Sequence, residues 1–576
     1  MNNTHTTKVE TLTAGALFSR TYSIPLYQRE YAWGREEIWQ LLDDLQEAFA
    51  SSLSRHYHIG SLTAFLRTDA SGRQSYELID GQQRTITLAL LIRLLSESAP
   101  SALPTIRMAE RLRFENRPEA ENFLAAFCDC PDEPPASPMA FRRAVDAMRD
   151  HSVFGEEKRA ALPAFAEFVG AHVALFLVTM PPETDVSAYF EIMNNRGVQL
   201  EFHELLKAKF IAKLPHDVDQ SLFDRLWTVC SRMDGYLVDR LDKENVEALM
   251  AGQQWRQIDF KRDAIRDAPA NGNAARSIIP DFPNFLLHVL RFHAKSKDVS
   301  LDERNMRKEF DKRFDSIDPV RFLDSLLKTR LRFDCFAIKA EGGTDSVEPS
   351  WHIEGKNDWS KDDTERLTHL QAMLQVSYPS KRNKEWLSLL LCANHVEDAP
   401  RLISLLEEFA REHLRALLAR RADIDWMCAG RATPHLALNL VDYLMYCRNP
   451  REYSGDNKSF RFAYRNTVEH HFPDGSANDD PKWANGVVND IGNLYLLSRS
   501  DNSSLNVRGP TQKVNQVSNI DTLPPKRRKM YRLTREKNDW TPEIMKPHHD
   551  DVVCVLTQFL NTTSSSSSSE GDLDLR

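Results

Sequence analysis

Between Ser75 and Leu95 the chain reads SYELIDGQQRTITLALLIRLL. An alternating β-type run, Ser75 to Ile79, ends in Asp80-Gly81, and a strongly apolar helix pattern comes next, taken up from Thr85. A strand feeding straight into a helix means both element types must pack here. Gly81 permits a sharp turn and a close approach of a ligand to the backbone. The N–H groups at the start of a helix form a ready anion site. Arg84, in the first turn, can place a planar fork on a phosphate. Gln82 and Gln83 can donate to oxygens, and Asp80 can hold a metal ion or orient a water. The same residues also read as an ordinary helix start, with Asp80 as cap, Gly81 as turn and Arg84 solvated.

Other elements surround this one. Ile24 to Trp33 (IPLYQREYAW) reads as extended. Ile38, Leu41, Leu42, Leu45 and Phe49 carry helical spacing. Tyr57 to Phe65 and Val173 to Val178 read as strands, and Val186 to Met193 leads into the loop Asn194-Asn195-Arg196-Gly197. Tyr27, Gln28, Arg29 and Glu30 form a second polar cluster, and the Asn195-Arg196 loop a third. Each places an Arg beside amide side chains at the edge of an element, which suits one nucleotide or nucleic-acid pocket. An alternating strand and a plain turn are the bland alternatives.

From about Leu200 to Leu418 the pattern is mostly helical, including Pro283 to Ala294 and Pro319 to Leu331. Loops interrupt it at Asp267 to Asn273 and Glu341 to Asp363. With no clustered chemistry, this stretch reads as spacer and scaffold. The formal charge of -9 argues against a general nucleic-acid coat but leaves room for a local basic groove. No apolar run reaches the roughly 18 residues of a membrane span, since Arg93 breaks Leu88 to Leu95. The N-terminus lacks the pattern of a secretory signal, so a cytoplasmic protein with reduced, mostly buried thiols is expected of the 8 scattered cysteines.

The C-terminal part changes character. Val468 to Asn506 holds Glu469-His470-His471, Gly492-Asn493-Leu494 and Asn502. Phosphodiester hydrolysis needs an activated water and a counter-charge for the leaving oxygen. A neutral His supplies the first, and a hard divalent cation on oxygen ligands the second. A hairpin carrying Glu469-His470, with a helix carrying Asn502 after it, would place a carboxylate and an amide oxygen on one ion. Asn493 would hydrogen-bond the His and orient it. Ordinary packing histidines are the alternative. The basic run Lys526 to Lys537 (KRRKMYRLTREK) reads either as a solvated helix face or as a phosphate clamp. The serine tract from Thr562 to Arg576 cannot bury a core and should be disordered.

Together, IPLYQREYAW, ELIDGQQRTITLALL and FEIMNNRGVQLEFHELLKAKF resemble the N-terminal domain of the GmrSD family of type IV restriction endonucleases, itself similar to the ParB and sulfiredoxin fold. The resemblance implies nucleoside-triphosphate binding and hydrolysis, with GTP, UTP and ATP undistinguished. It points to Gln28, Arg29, Asp80, Gly81, Gln82, Gln83 and Arg84, and to Asn195 and Arg196. The C-terminal block resembles the family's His-Me finger nuclease domain of HNH type. That implies His470 as general base, Glu469 and Asn502 as ligands of Mg²⁺ or Mn²⁺, and Asn493 as the residue orienting the His. His471 stands where an apolar residue is commoner, so either His is a candidate. Pro547-His548-His549 stands where a basic residue is expected.

The expected architecture is mixed α+β and largely helical. A ParB/sulfiredoxin-like α/β domain spans 1–225 and a helical connector 226–380. A helical domain carrying a ββα-metal motif spans 381–561, and the tail 562–576. The implied function is modification-dependent cleavage of double-stranded phage DNA under NTP control, with no membrane partner and room for a homodimer. A non-cleaving NTP-switched DNA-binding regulator, and a nuclease toxin acting on RNA or host DNA, are the alternatives.

Overall fold

The computed structural model describes residues 7–562 except 26–27, 29, 52–55, 69–71, 97, 99–102, 104–107, 116, 133, 136–137, 182–201, 261–264, 266–275, 280, 342–349, 355–358, 381, 383, 421–424, 454–459, 477–479, 485, 499–504 and 506–507. Arg29, Asn195, Arg196 and Asn502 lie outside the described residues, as do Val186 to Met193 and the serine tract from 563. The chain divides into two compact units, Met1–Arg225 and Leu226–Arg576.

The first unit is built on a six-stranded mixed sheet. Its strands are β1 (Lys8–Thr13), β2 (Tyr22–Ile24), β3 (Tyr57–Thr68), β4 (Gln74–Asp80), β5 (Leu112–Phe114) and β6 (Val173–Met180), in the order β1-β6-β3-β4-β2-β5. β3 runs parallel to β6 and antiparallel to β4, and β4 is parallel to β2. The extended stretch expected from Ile24 to Trp33 supplies strand only through Ile24, because Pro25 ends the ladder and a turn brings the Gln28 N–H to the Pro25 carbonyl.

The helix after β4 spans Gln82–Leu95 and starts three residues earlier than its apolar pattern predicts. Ile86, Leu88, Ala89, Leu90, Leu91, Ile92 and Leu95 are all sealed in the core, each large side chain contributing about 1.5–3 kcal/mol by burial. Arg93 is tolerated there because its Nε and Nη2 donate to the Cys128 carbonyl at 3.0 and 2.8 Å. The amphipathic helix Arg35–Ala50 buries Ile38, Leu42 and Leu45 and packs Leu41 and Phe49 against the same core.

The second unit is mainly helical. Asp281, Asp318, Ser360 and Asp398 each accept a backbone N–H and so cap the helices Phe282–Ala294, Pro319–Phe336, Lys361–Ser377 and Ala399–Ala419. Phe282–Ala294 packs on both Pro319–Phe336 and Glu385–Cys392, and Lys361–Ser377 on both Ala399–Ala419 and His435–Arg448. The stretch 226–380 therefore shares its core with the helices from Glu385 onward and is not a separate connector. A small sheet is formed by β7 (Arg276–Ser277), β8 (Lys339–Glu341) and β9 (Ser350–His352), and β9 falls inside the stretch Glu341 to Asp363 that is expected to be a loop. β10 (Thr467–His470) and β11 (Leu494–Leu497) form an antiparallel hairpin, with Glu469 opposite Tyr495 and His470 opposite Leu494.

Two further expectations are corrected. All eight cysteines are free, but of these only Cys230 and Cys392 are buried, while Cys130, Cys428 and Cys554 are exposed. The basic run forms the helix Pro525–Lys537, and much of its charge is consumed inside the protein. Lys526 is fully buried and donates to the Leu494 carbonyl. Arg527 lies over the Tyr495 and Tyr531 rings, and Arg528 over Tyr453. Lys529 pairs with Asp551 at 2.7 Å, and Arg532 with Glu452 and Asp521 at 2.5 and 2.6 Å. The start of the run is therefore not a solvated face, whereas Arg532, Arg535 and Lys537 nearer its end are exposed. Among the described residues, no helix is long and apolar enough to cross a membrane.

Candidate functional site

In the first unit, Gly81 is the left-handed residue that converts β4 into the helix, with φ +90°. A Cβ there would stand 2.4 Å from Leu62 Cδ2 and 3.0 Å from the Ser61 carbonyl oxygen. Gly81→Ala is therefore expected to lower the stability of this unit by at least about 1–2 kcal/mol from backbone strain alone. Wild-type melting of that variant by calorimetry would refute the packing described.

The structure brings two of the three amide-rich clusters together. Gln28 is buried and its Nε2 donates to the Ile79 carbonyl at 2.7 Å. Gln83 accepts the Ala32 N–H on Oε1 at 2.8 Å and donates from Nε2 to the Glu30 carbonyl at 3.1 Å. These amides stitch the segment after β2 to the end of β4. Gln82 is buried beside them, and Asp80 is exposed at the strand end. Arg84 is half-buried and donates from Nη1 to the Ser61 carbonyl at 2.8 Å. The first-turn N–H groups of Gln82, Gln83 and Arg84 precede the first intrahelical bond, Thr85 N–H to the Gly81 carbonyl.

In the second unit, His470 ends β10. Its Nε2 lies 3.0 Å from Asn489 Oδ1. An amide oxygen only accepts, so Nε2 carries the proton and Nδ1 keeps the basic lone pair. Burial pushes this imidazole below the ordinary His value, opposed by the Asn489 bond and by Asp474 and Glu469. His470 is itself buried, while Asp474 and Arg431, two of its charged neighbours, are exposed.

His471 is placed differently. Thr534 gives its own hydroxyl proton to the Met530 carbonyl and accepts from His471 Nε2 at 2.8 Å. Tyr531 and Trp540 enclose the ring, and burial holds its pKa far down.

Glu469 points to a buried cation. Lys513 Nζ donates to Glu469 Oε1 at 2.7 Å and to the His470 carbonyl at 2.5 Å. Lys513 is fully buried, and that burial lowers its pKa. Glu469 is a hard oxygen donor next to the His, and a divalent ion there would share it with Lys513. Among the described residues no group of three or more His, Cys, Asp or Glu is placed to hold a metal ion.

Asn493 does not bond His470. Its Oδ1 accepts from Phe472 N–H at 2.9 Å and Trp540 Nε1 at 3.1 Å. Its Nδ2 donates to the carbonyls of Phe472 and Val488 at 3.1 and 2.8 Å. The amide that reaches His470 belongs to Asn489, which sequence reasoning passed over because its neighbours show no helical or strand period.

Residues 13–211 match the N-terminal domain of the GmrSD restriction endonucleases, and residues 423–553 match their C-terminal domain. The chain belongs to the GmrSD restriction endonuclease family. No curated protein matches it. The first match covers the Gln28 and Asp80–Arg84 cluster, and the second covers the hairpin, Asn489 and Lys513. GmrSD membership assigns a restriction endonuclease role, with DNA as the substrate.

Proposed function

We propose that this GmrSD chain is an HNH-type, modification-dependent DNA endonuclease of phage defence, with His470 as general base and nucleotide control from its N-terminal unit. The observation that carries the reading is the His470–Asn489 hydrogen bond, which leaves Nδ1 as the one basic nitrogen of a neutral ring. That nitrogen takes a proton from water. The hydroxide attacks phosphorus, the P–O ester bond breaks, and the departing oxygen is protonated from solvent. His471, whose Nε2 is committed to Thr534 inside an aromatic box, serves as core. Glu469 and Asn502 would hold Mg²⁺ or Mn²⁺, which supplies positive charge to the departing oxygen when bound. Lys513 fixes the Glu469 carboxylate and the His470 backbone in either case.

In the N-terminal unit, a nucleoside triphosphate would lay its phosphates against the first turn of the helix Gln82–Leu95, with Arg84 and Asp80 beside it and hydrolysis as the next step. Gln28 and Gln83 hold the walls of that site through backbone bonds. The decisive experiment is incubation of the full chain with modified and unmodified phage DNA, with Mg²⁺ or Mn²⁺, with and without each NTP. Cleavage confined to modified DNA supports the reading. Binding without cleavage under every condition replaces it with a DNA-binding regulator.

Arg84→Ala is expected to weaken NTP binding about ten- to a hundredfold, because a charge-assisted hydrogen bond is worth roughly 1.5–3 kcal/mol. Titrating nucleotide against wild type and variant, with cleavage measured in parallel, checks it. Nucleotide that binds wild type while cleavage stays flat separates the two activities.

A further inference from the structure

We propose that Asn489 is the positioning residue for the general base, and that Gly430 is the gap in the neighbouring loop that lets it stand there. The proposal rests on the reading of His470 as base. Asn489 Oδ1 lies 3.0 Å from His470 Nε2. Gly430 has a positive φ of +55°, and a Cβ built on it would fall 2.4 Å from Asn489 Oδ1 and 2.8 Å from its Cγ. Any side chain at 430 therefore collides with the atom that holds the imidazole. No flexible end is available to yield, since the Asn side chain is short and its oxygen is already committed.

The backbone around this pair is fixed from both sides by one residue. Asn493 bonds the N–H and carbonyl of Phe472, two residues beyond His470, and the carbonyl of Val488, one residue before Asn489. It is thus a splint between the two segments that carry base and acceptor. On the Asn489 side the chain is also held by a turn, with the Asn489 N–H on the Gly486 carbonyl at 2.9 Å. Asp490, the next residue, accepts from Gly492 N–H at 2.6 Å and bonds His549 Nδ1 at 2.7 Å. The acceptor is therefore placed before substrate arrives. It selects the tautomer whose Nδ1 is free to take a proton, and it turns the ring so that this nitrogen has one direction.

The test compares full-length wild type, His470→Ala, Asn489→Ala, Asn489→Asp and Gly430→Ala. Asn489→Ala is expected to lower kcat for DNA cleavage about 10–100-fold with KM unchanged. Gly430→Ala should reproduce that loss. Asn489→Asp retains the acceptor oxygen and should restore most of kcat. A second measurement does not need activity. Histidine ¹⁵N spectra should show the His470 ring, identified by its loss in His470→Ala, as the Nε2–H tautomer in wild type and as a mixture in Asn489→Ala. An Nδ1–H tautomer in wild type overturns the proposal. So does a full kcat in Asn489→Ala when His470→Ala is inactive. Full activity in His470→Ala instead overturns the assignment of the base itself.

Discussion

Replacing His470 by alanine is expected to cut DNA cleavage by about 10²–10⁴-fold while the fold and nucleotide binding survive, the usual loss for a positioned base. The ring ends a strand and its removal leaves no buried charge, because burial keeps it neutral. The ion pair beneath it, Lys513 with Glu469, is untouched by the change. Cleavage rates under saturating DNA and metal measure the effect, and thermal melting verifies the fold. His471→Ala is the control. It opens a hole among Tyr531, Trp540 and Tyr495 and should lower stability first, with residual cleavage tracking the folded fraction. A near wild-type rate in His470→Ala alone would transfer the base to another residue.

The second large effect is loss of stability in mild acid. His288 is fully buried and burial pushes its pKa down to about 3. Burial also lowers His293, His369, His435 and His548. An unfolded His titrates near 6.5. For a group depressed in the folded state, the unfolded chain binds the proton first. Stability is then complete above about pH 6.5 and drains as pH falls toward the folded value. His288 alone removes about 1.4 kcal/mol by pH 5.5, and the others add in the same direction. Asp442, pushed up to about 6 by burial, acts oppositely and returns part of the loss below that pH. Urea midpoints read by tryptophan fluorescence should therefore drop between pH 7.5 and 5.5. His548 offers the sharpest check, since neither ring nitrogen has a hydrogen-bond partner among the described residues. His548→Phe should flatten the pH dependence at little cost in stability at pH 7.5. An unchanged midpoint across this range in wild type would contradict the neutral, buried histidines.

Much of the architecture was legible where local chemistry decides it. The helical patterns read from Pro283 and Pro319 fall on real helices, and SYELI alternates as a strand should. Gly81 was legible as a turn because the strand and helix periods meet there. What escaped depends on partners distant in sequence. Arg527 and Arg528 read either as part of a solvated face or as part of a phosphate clamp, because a run of charge suggests one or the other. Their actual surroundings, Tyr495 and Tyr453, are brought in from other segments. Gln83 read as a donor for phosphate, whereas its amide is spent on the backbone of Glu30 and Ala32. Asn493 stood out in Gly-Asn-Leu as a partner for the His, yet its four bonds go to Phe472, Val488 and Trp540. Asn489 carried no mark at all, since only the closure of the loop onto Gly430 reveals its neighbour.

The helix Pro525–Lys537 also gives the protein a built-in reporter of its own opening. Trypsin cuts after lysine and arginine, and the bonds after Lys526, Arg527 and Arg528 make one of the densest targets in the chain. Folding hides all three side chains, fastening them to a carbonyl of β11, to tyrosine rings and to the Glu452 carbonyl. A protease reaches this run only when the helix leaves its neighbours. The rate at which fragments ending there accumulate would therefore count the openings of the second unit, without any label or probe attached.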